Sequence, residues 1–204
     1  VADYRAEVRG SGRFTVECAG EALGEFTLKL WGEKNISNAV AVVAFLHVNG
    51  FETDAVREAL KGFQGADRRQ QELFCDERFR IFDDYGHHPA EIEATLRAIR
   101  EQCAGRLLVA FQPHRYSRTK ALLLPFAEAL SVVSAVMLLP IYAAGEAHDP
   151  DVTSADLGRM MQQHGAAGSV TVIDSGGDWV DSLLPLIQTD DIVLLQGAGD
   201  VGLQ

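Results

Sequence analysis

The sequence predicts an α/β protein: a Rossmann-like, mostly parallel sheet with helices on both faces, preceded by a small antiparallel β meander plus helices. Three observations lead there. From about Arg68 onward, short apolar runs such as Leu107–Phe111 and Ile192–Leu195 alternate with helix-length stretches. Apolar runs of about five residues mark strands covered on both faces. Before Arg68, apolar residues instead recur at every second position over short segments, the pattern of hairpin strands. Between the two regions, Gly62-Phe63-Gln64-Gly65-Ala66-Asp67 reads as a hinge dividing residues 1–66 from 67–204.

The elements follow in order. Tyr4–Val8, Phe14–Cys18 and Phe26–Leu30 alternate with period two, and Gly10-Ser11-Gly12 and Ala19-Gly20-Glu21 supply the turns of a three-stranded meander. Asn35 or Ser37 caps a helix to about His47, with Ala39, Val42, Val43 and Leu46 on its buried stripe and Gly50 as its stop. A second helix runs from about Asp54 to Gly62. Strands over 71–75 and 78–83 come next, and Pro89 then opens a helix to about Gln102, because proline suits the first helical turn. After strand Leu107–Phe111 come a helix over Thr119–Val132, a strand over Ala135–Ile141 and a helix over Ala155–Gln163. The chain continues with strand Val170–Ile173, helix Asp178–Leu186 and strand Ile192–Leu195.

Composition narrows the function. The 204 residues are 47% hydrophobic and 23% charged, ordinary for a soluble globular protein. A net charge of −11 argues against a nucleic-acid partner, whose surface would need a basic patch. No apolar run approaches the roughly 18 residues of a membrane span, so no membrane partner is expected. No basic segment followed by an apolar one opens the chain, which gives no secretory signal. Cys18, Cys75 and Cys103 are widely spaced and lack C-x-x-C order, which reads as buried reduced thiols of a cytosolic protein. Val1 falls inside a strand-like run and is not Met, so the chain reads as a piece of a longer protein.

Two loops carry the densest chemistry, and both leave the carboxyl ends of expected parallel strands, where such sheets bind ligands. Asp83-Asp84-Tyr85-Gly86-His87-His88-Pro89 offers carboxylates and imidazoles that could hold a ribose, act as acid and base, or form a plain turn. Adjacent histidines point in different directions, which favours one ligand contact and one structural hydrogen bond over a shared metal. Phe111-Gln112-Pro113-His114-Arg115-Tyr116-Ser117-Arg118-Thr119 puts two arginines three apart at a helix start. Guanidinium forks and free helix N–H groups both suit an anion. Cations at that helix end oppose the dipole, so the placement favours a ligand over a solvated surface.

Other candidates are weaker alone. Asn35 and Asn38 lie one turn apart, and an asparagine amide can match an adenine edge or simply cap a helix. Arg68-Arg69 could clamp a phosphate or be exposed, while Tyr142–Glu146 and Gly197–Asp200 are loops with small residues on the same rim. Neither G-x-x-x-x-G-K-[ST] nor G-x-S-x-G occurs.

Taken in order, these pieces resemble the Mur ligase family over residues 1 to about 200. The family's helix signature Gly-Arg-His-Asn-x-x-Asn-Ala is similar to Gly32-Glu33-Lys34-Asn35-Ile36-Ser37-Asn38-Ala39. Its hinge with an Arg-Arg pair resembles Phe63–Arg69, and the loops at 83–89, 111–119, 142–146 and 197–200 resemble most the members that add L-alanine. The resemblance implies a cytoplasmic, ATP- and Mg²⁺-dependent ligase joining L-alanine to the carboxylate of UDP-N-acetylmuramate in peptidoglycan synthesis. Residues 1–66 would be the remainder of a central ATP-binding domain and 67–204 the C-terminal ligase domain. The missing N-terminal and central segments would be its partners, metal ligands would lie mainly outside this chain, and the chain alone would be inactive. By position, Asn35 and Asn38 would contact adenine, Arg69 the ATP phosphates and Asp84 the ribose. Tyr85, His87, Arg115 and Arg118 would face the muramoyl substrate and the incoming L-alanine. Lys34 replaces the usual histidine, and Gln70 stands where an aromatic residue is commoner. Murein-tripeptide recycling is the nearest alternative activity, and a non-catalytic binding module of the same fold is the alternative of another class.

Overall fold

A computed structural model describes residues 3–10, 12–166, 168–173 and 178–203. Ser11 of the expected first turn and Val1 lie outside these residues. The chain divides into two compact units, residues 1–66 and 67–204.

In the first unit, β1 (Tyr4–Gly10), β2 (Arg13–Cys18) and β3 (Glu21–Thr27) form an antiparallel meander in that order. The third strand begins five residues earlier than the Phe26 expected from alternation. A two-residue turn explains this: Ala19 and Gly20 both have positive φ (51° and 88°), as the tightest hairpin turns require. A register shift opposite Gly24 then disturbs the alternation that sequence periodicity relies on.

Helix α1 spans Glu33–Val48 and α2 spans Thr53–Gly62. Neither Asn35 nor Ser37 caps α1: Gly32, at φ 90°, precedes the helix, and both side chains fall inside it. Gly50 does end it as expected, with φ 79°, its N–H on the His47 carbonyl (3.0 Å) and the Phe51 N–H on that of Leu46 (3.1 Å). Ile36, Ala39 and Val43 form the buried stripe, while Val42 is exposed, contrary to expectation. These side chains close over Phe14, Val16, Phe26 and Leu28 from the meander, with Val56 and Leu60 from α2. Arg57 ties α2 to β3 by donating to the carbonyls of Glu25 (2.8 Å) and Leu23 (3.0 Å).

The second unit holds β4 (Gln71–Cys75), β5 (Phe79–Asp84), β6 (Leu107–Phe111), β7 (Ala135–Leu138), β8 (Ser169–Val172) and β9 (Asp191–Gln196). Their order is β4-β5-β9-β6-β7-β8, with only β4 antiparallel to its neighbour. Helices α3 (Pro89–Arg100), α4 (Tyr116–Ala121), α5 (Leu123–Leu130), α6 (Ser154–Gln163) and α7 (Trp179–Leu183) connect them. Alternate residues of β6 serve the two faces: Leu108 and Ala110 join Trp179 and Leu183 of α7, while Phe111 meets Phe126 of α5 at 5.5 Å. The expected α/β architecture, with a mostly parallel sheet and a separate meander, is what the chain adopts.

Prolines account for three of the remaining differences. The helix expected over Thr119–Val132 breaks at Leu122 (φ −122°, ψ 23°), because Pro125 can offer no N–H to the preceding turn. Pro185 similarly confines α7 to five residues and leaves a 3₁₀ turn over Leu184–Leu186. Pro140 follows the early end of β7. The three cysteines are free, as expected, but none is buried: Cys75 is exposed on the edge strand β4, and Cys18 and Cys103 are partly exposed.

Candidate active site

Strand register brings three loops together. Asp84 at the end of β5 pairs with Gln196 of β9, and Gln196 pairs with Phe111 of β6. The chain enters β9 between β5 and β6, so their carboxyl ends border one rim at a reversal of strand order, the usual ligand position in open α/β sheets.

The floor of this rim is polar and buried. The Asp84 carboxylate accepts from the amides of Gly86 (2.9 Å) and Gln70 (3.1 Å) and from the Gln196 side chain (3.0 Å). Gln196 also donates to the Gly86 carbonyl at 2.6 Å. A Cβ on Gly86 would lie 2.7 Å from Asp84 Oδ1 and 2.8 Å from Gln196 Nε2, so this turn needs glycine. Asp84, expected to reach the ribose, is only 3% exposed, and its side chain organises the loop above it.

Arg68 is the second fastening. Its φ of 58° turns the side chain inward, where it donates to Asp83 Oδ2 (2.9 Å) and to the carbonyls of Gly197 (2.7 Å) and Gly199 (2.9 Å). Burial lifts the Asp83 carboxyl above the ordinary range, more than the attraction of Arg68 lowers it. Arg69 points outward and is exposed, its guanidinium 5.8 Å from the Tyr85 ring centre, while Arg68 lies over the same ring at 5.1 Å.

From Tyr85 a row of rings crosses the rim. Tyr85 meets His87 edge to face at 5.6 Å, His87 meets His114 at 5.6 Å, and His114 stacks on Tyr142 at 5.6 Å with planes 21° apart. Arg118 Nη1 lies 3.3 Å from His114 Nδ1. His88 turns away and caps α3, accepting from the Ala90 amide at 3.3 Å, while Glu91 accepts from the amides of His87 (3.1 Å) and His88 (3.3 Å). His88 thus makes the structural hydrogen bond expected of one of the two histidines, while His87 lies in the rim with its Nδ1 3.1 Å from the Tyr85 carbonyl. Burial pushes the Glu91 carboxyl up, but those amides outweigh it and hold it below the usual range.

Arg115 is exposed and has φ 74°, a left-handed conformation rare outside glycine and often found where a side chain is held for function. Its amide donates to the Tyr142 carbonyl (2.8 Å), and its carbonyl accepts from Thr119. The anion site expected from the helix N–H groups is occupied by the chain itself: Glu146 accepts from the Ser117 amide (3.1 Å) and hydroxyl (2.5 Å). The Ser117 hydroxyl, then its amide, hold the Glu146 carboxyl below the ordinary range. The Ser117 amide at the start of α4 is therefore already taken, and the guanidinium groups of Arg115 and Arg118 are the cations left on this loop.

The rim thus unites Tyr85, His87, Arg118 and Arg69, with Arg115 beside them and Asp84 beneath. Asn35 and Asn38 belong to the first unit, on the first two turns of α1; Asn35 donates to the Trp31 carbonyl at 2.8 Å and Asn38 is exposed. Among the described residues no group of three or more His, Cys, Asp or Glu stands close enough to hold a metal ion. Sequence reasoning missed Gln196 and the inward role of Arg68. A polar residue closing the apolar run Ile192–Leu195 was the available signal for Gln196.

The Mur ligase, glutamate ligase domain matches residues 68–199. The chain belongs to the Mur ligase family. This Mur ligase chain is 41% identical over 204 residues to a UDP-N-acetylmuramate–L-alanine ligase of Anaeromyxobacter dehalogenans, covering 98% of the chain and 44% of that protein. A ligase of the same description from Fusobacterium nucleatum is 39% identical, covering 89% of the chain and 40% of that protein. The crystal structure of UDP-N-acetylmuramate–alanine ligase MurC from Thermotoga maritima superposes with a TM-score of 0.79 at 27% identity, over 98% of this chain and 43% of the other. A murein peptide ligase from Psychrobacter arcticus shares the fold, with a TM-score of 0.65 at 20% identity, over 99% of this chain and 42% of the other. The Mur ligase chain therefore spans less than half the length of the relatives it matches. No helix among its described residues is long and apolar enough to cross a membrane.

Proposed function

We propose that this chain is the C-terminal part of a cytoplasmic ATP-dependent ligase that joins L-alanine to the carboxylate of UDP-N-acetylmuramate. Residues 1–66 are then the remainder of a central ATP-binding domain, with Asn35 and Asn38 toward adenine. Residues 67–204 hold the reacting acid and amine. The observation that carries the reading is the rim on which Tyr85, His87 and Arg118 converge beside Arg115.

The chemistry follows from these groups. The muramoyl carboxylate is activated as an acyl phosphate in segments outside this chain, which also supply most ligands for Mg²⁺. The amine of L-alanine then attacks the acyl carbon, phosphate leaves, and an amide remains. Both the tetrahedral intermediate and the amino acid carboxylate are anionic, and guanidinium donors fixed before the reaction stabilise such charge. Arg115 and Arg118 supply them. His87, between Tyr85 and His114, is the group of this rim suited to accept the proton of the attacking amine. Arg69 is exposed and free to reach a nucleotide phosphate. A ribose contact by Asp84 would use the second lone pair of Oδ2, which accepts from the Gln70 amide.

The test uses Arg115→Ala in a longer protein carrying this chain. We expect kcat/KM for ligation to fall about 100-fold or more, the scale of losing a donor to transition-state charge. Wild-type turnover would remove Arg115 from the site.

A further inference from the structure

We propose that His114 is a positioning residue for Arg118: its imidazole accepts a hydrogen bond at Nδ1 and fixes the guanidinium that faces the anionic substrate. The inference rests on the reading of Arg118 as a substrate-binding group.

The chemistry of the pair is one-directional. A guanidinium has donors only, so at 3.3 Å from Arg118 Nη1 the His114 Nδ1 must present its lone pair. The ring is then neutral, with its proton on Nε2. The charged groups facing it agree. Desolvation comes first, then Arg118, His87 and Arg115, in lowering its pKa below the usual histidine value, while Glu146 opposes them.

His114 is also held rigidly enough to orient a neighbour. Its backbone bridges to Tyr142, where the Tyr142 amide donates to Pro113 (2.8 Å) and the Arg115 amide to Tyr142 (2.8 Å). Its ring is stacked on Tyr142 on one side and touches His87 on another. Arg118, by contrast, sits on the six-residue helix α4 and ion-pairs with no carboxylate among the described residues. A long, flexible cation with no carboxylate partner among the described residues is fixed most simply by one acceptor on its inner side, which leaves its remaining N–H groups for the ligand.

The experiment compares His114→Phe, His114→Asn and Arg118→Ala in a longer protein carrying this chain, with thermal melting as the control for folding. Phenylalanine keeps the stacking on Tyr142 but removes the acceptor; asparagine restores an acceptor near the position of Nδ1. We expect His114→Phe to lower kcat/KM about tenfold, roughly one hydrogen bond to a charged group, with KM raised for one of the two carboxylate-bearing substrates. His114→Asn should stay within about threefold of wild type, and His114→Phe with Arg118→Ala should be no worse than Arg118→Ala alone. If Arg118→Ala raises KM but His114→Phe does not, the positioning role is overturned while the substrate reading stands. Unchanged kinetics for Arg118→Ala overturn the substrate reading itself. Histidine nitrogen NMR of the wild type gives a readout that survives a variant's failure to fold. A neutral Nε2–H tautomer for His114 at pH 7 supports the proposal, and an Nδ1–H tautomer or an imidazolium overturns it.

Discussion

Arg68 and Asp83 form a 2.9 Å salt bridge whose carboxylate side chain is only 4% exposed, and the same guanidinium holds the carbonyls of Gly197 and Gly199. One residue thus ties the end of β5 to the loop after β9. Removing the cation would leave Asp83 buried without its partner, an outcome more costly than the pair itself is stabilising. We expect Arg68→Met to destabilise the protein by about 3 kcal/mol in urea denaturation. A loss comparable to that of a surface arginine would show that the bridge does not organise the rim.

Gly86 is pressed against the buried Asp84–Gln196 contact, with no room for a Cβ on that side. We expect Gly86→Ala to displace the loop that carries Tyr85 and His87, at about 2 kcal/mol of stability, and to lower ligation in the longer protein. Gln196→Leu should have a related effect, because the Asp84 carboxylate and the Gly86 carbonyl would lose a shared donor inside the protein. Parallel urea melts and rate measurements check both.

Histidine 114 has a folded pKa below its unfolded value of about 6.5. As pH falls through that interval, the unfolded chain takes up a proton that the folded one refuses, so stability falls with pH. His114→Asn removes this proton. The variant should therefore lose less stability than the wild type between neutral pH and pH of about 5, measured by denaturant midpoints. Equal losses would contradict the burial assigned to the ring.

Glu146 behaves in the opposite sense. Its carboxyl sits below the ordinary range because Ser117 donates to it twice, so its stabilising contribution is present above the unfolded pKa and is lost as pH falls through the lower folded value. In Ser117→Ala the Glu146 titration should move up toward that of a free glutamate, followed by carboxyl carbon NMR. No movement would mean that the Ser117 hydroxyl does not set it.

Much of this was legible from local chemistry. The buried strands announced themselves as apolar runs, Gly50 as a helix stop, and Pro89 as a helix start, because each effect acts within one element. The loops at Tyr85–His88 and His114–Arg118 were legible as strand-end clusters for the same reason. What the sequence concealed was long-range. Which arginine of the Arg68-Arg69 pair turns inward depends on the positive φ at Arg68 and on carbonyls more than a hundred residues away. The helix N–H groups looked open to a ligand because Glu146, which takes them, lies 29 residues beyond Ser117. Asp84 looked like a ligand-facing carboxylate because nothing local reveals that Gln196 lies beside it.

The central claim is best tested by supplying ATP, Mg²⁺ and UDP-N-acetylmuramate to a longer protein carrying this chain, with L-alanine, other amino acids and a murein tripeptide in competition. The account predicts that UDP-N-acetylmuramoyl-L-alanine forms with release of ADP and phosphate, and that L-alanine is strongly preferred. Strong preference for the tripeptide, or no ATP-dependent amide formation, would contradict it.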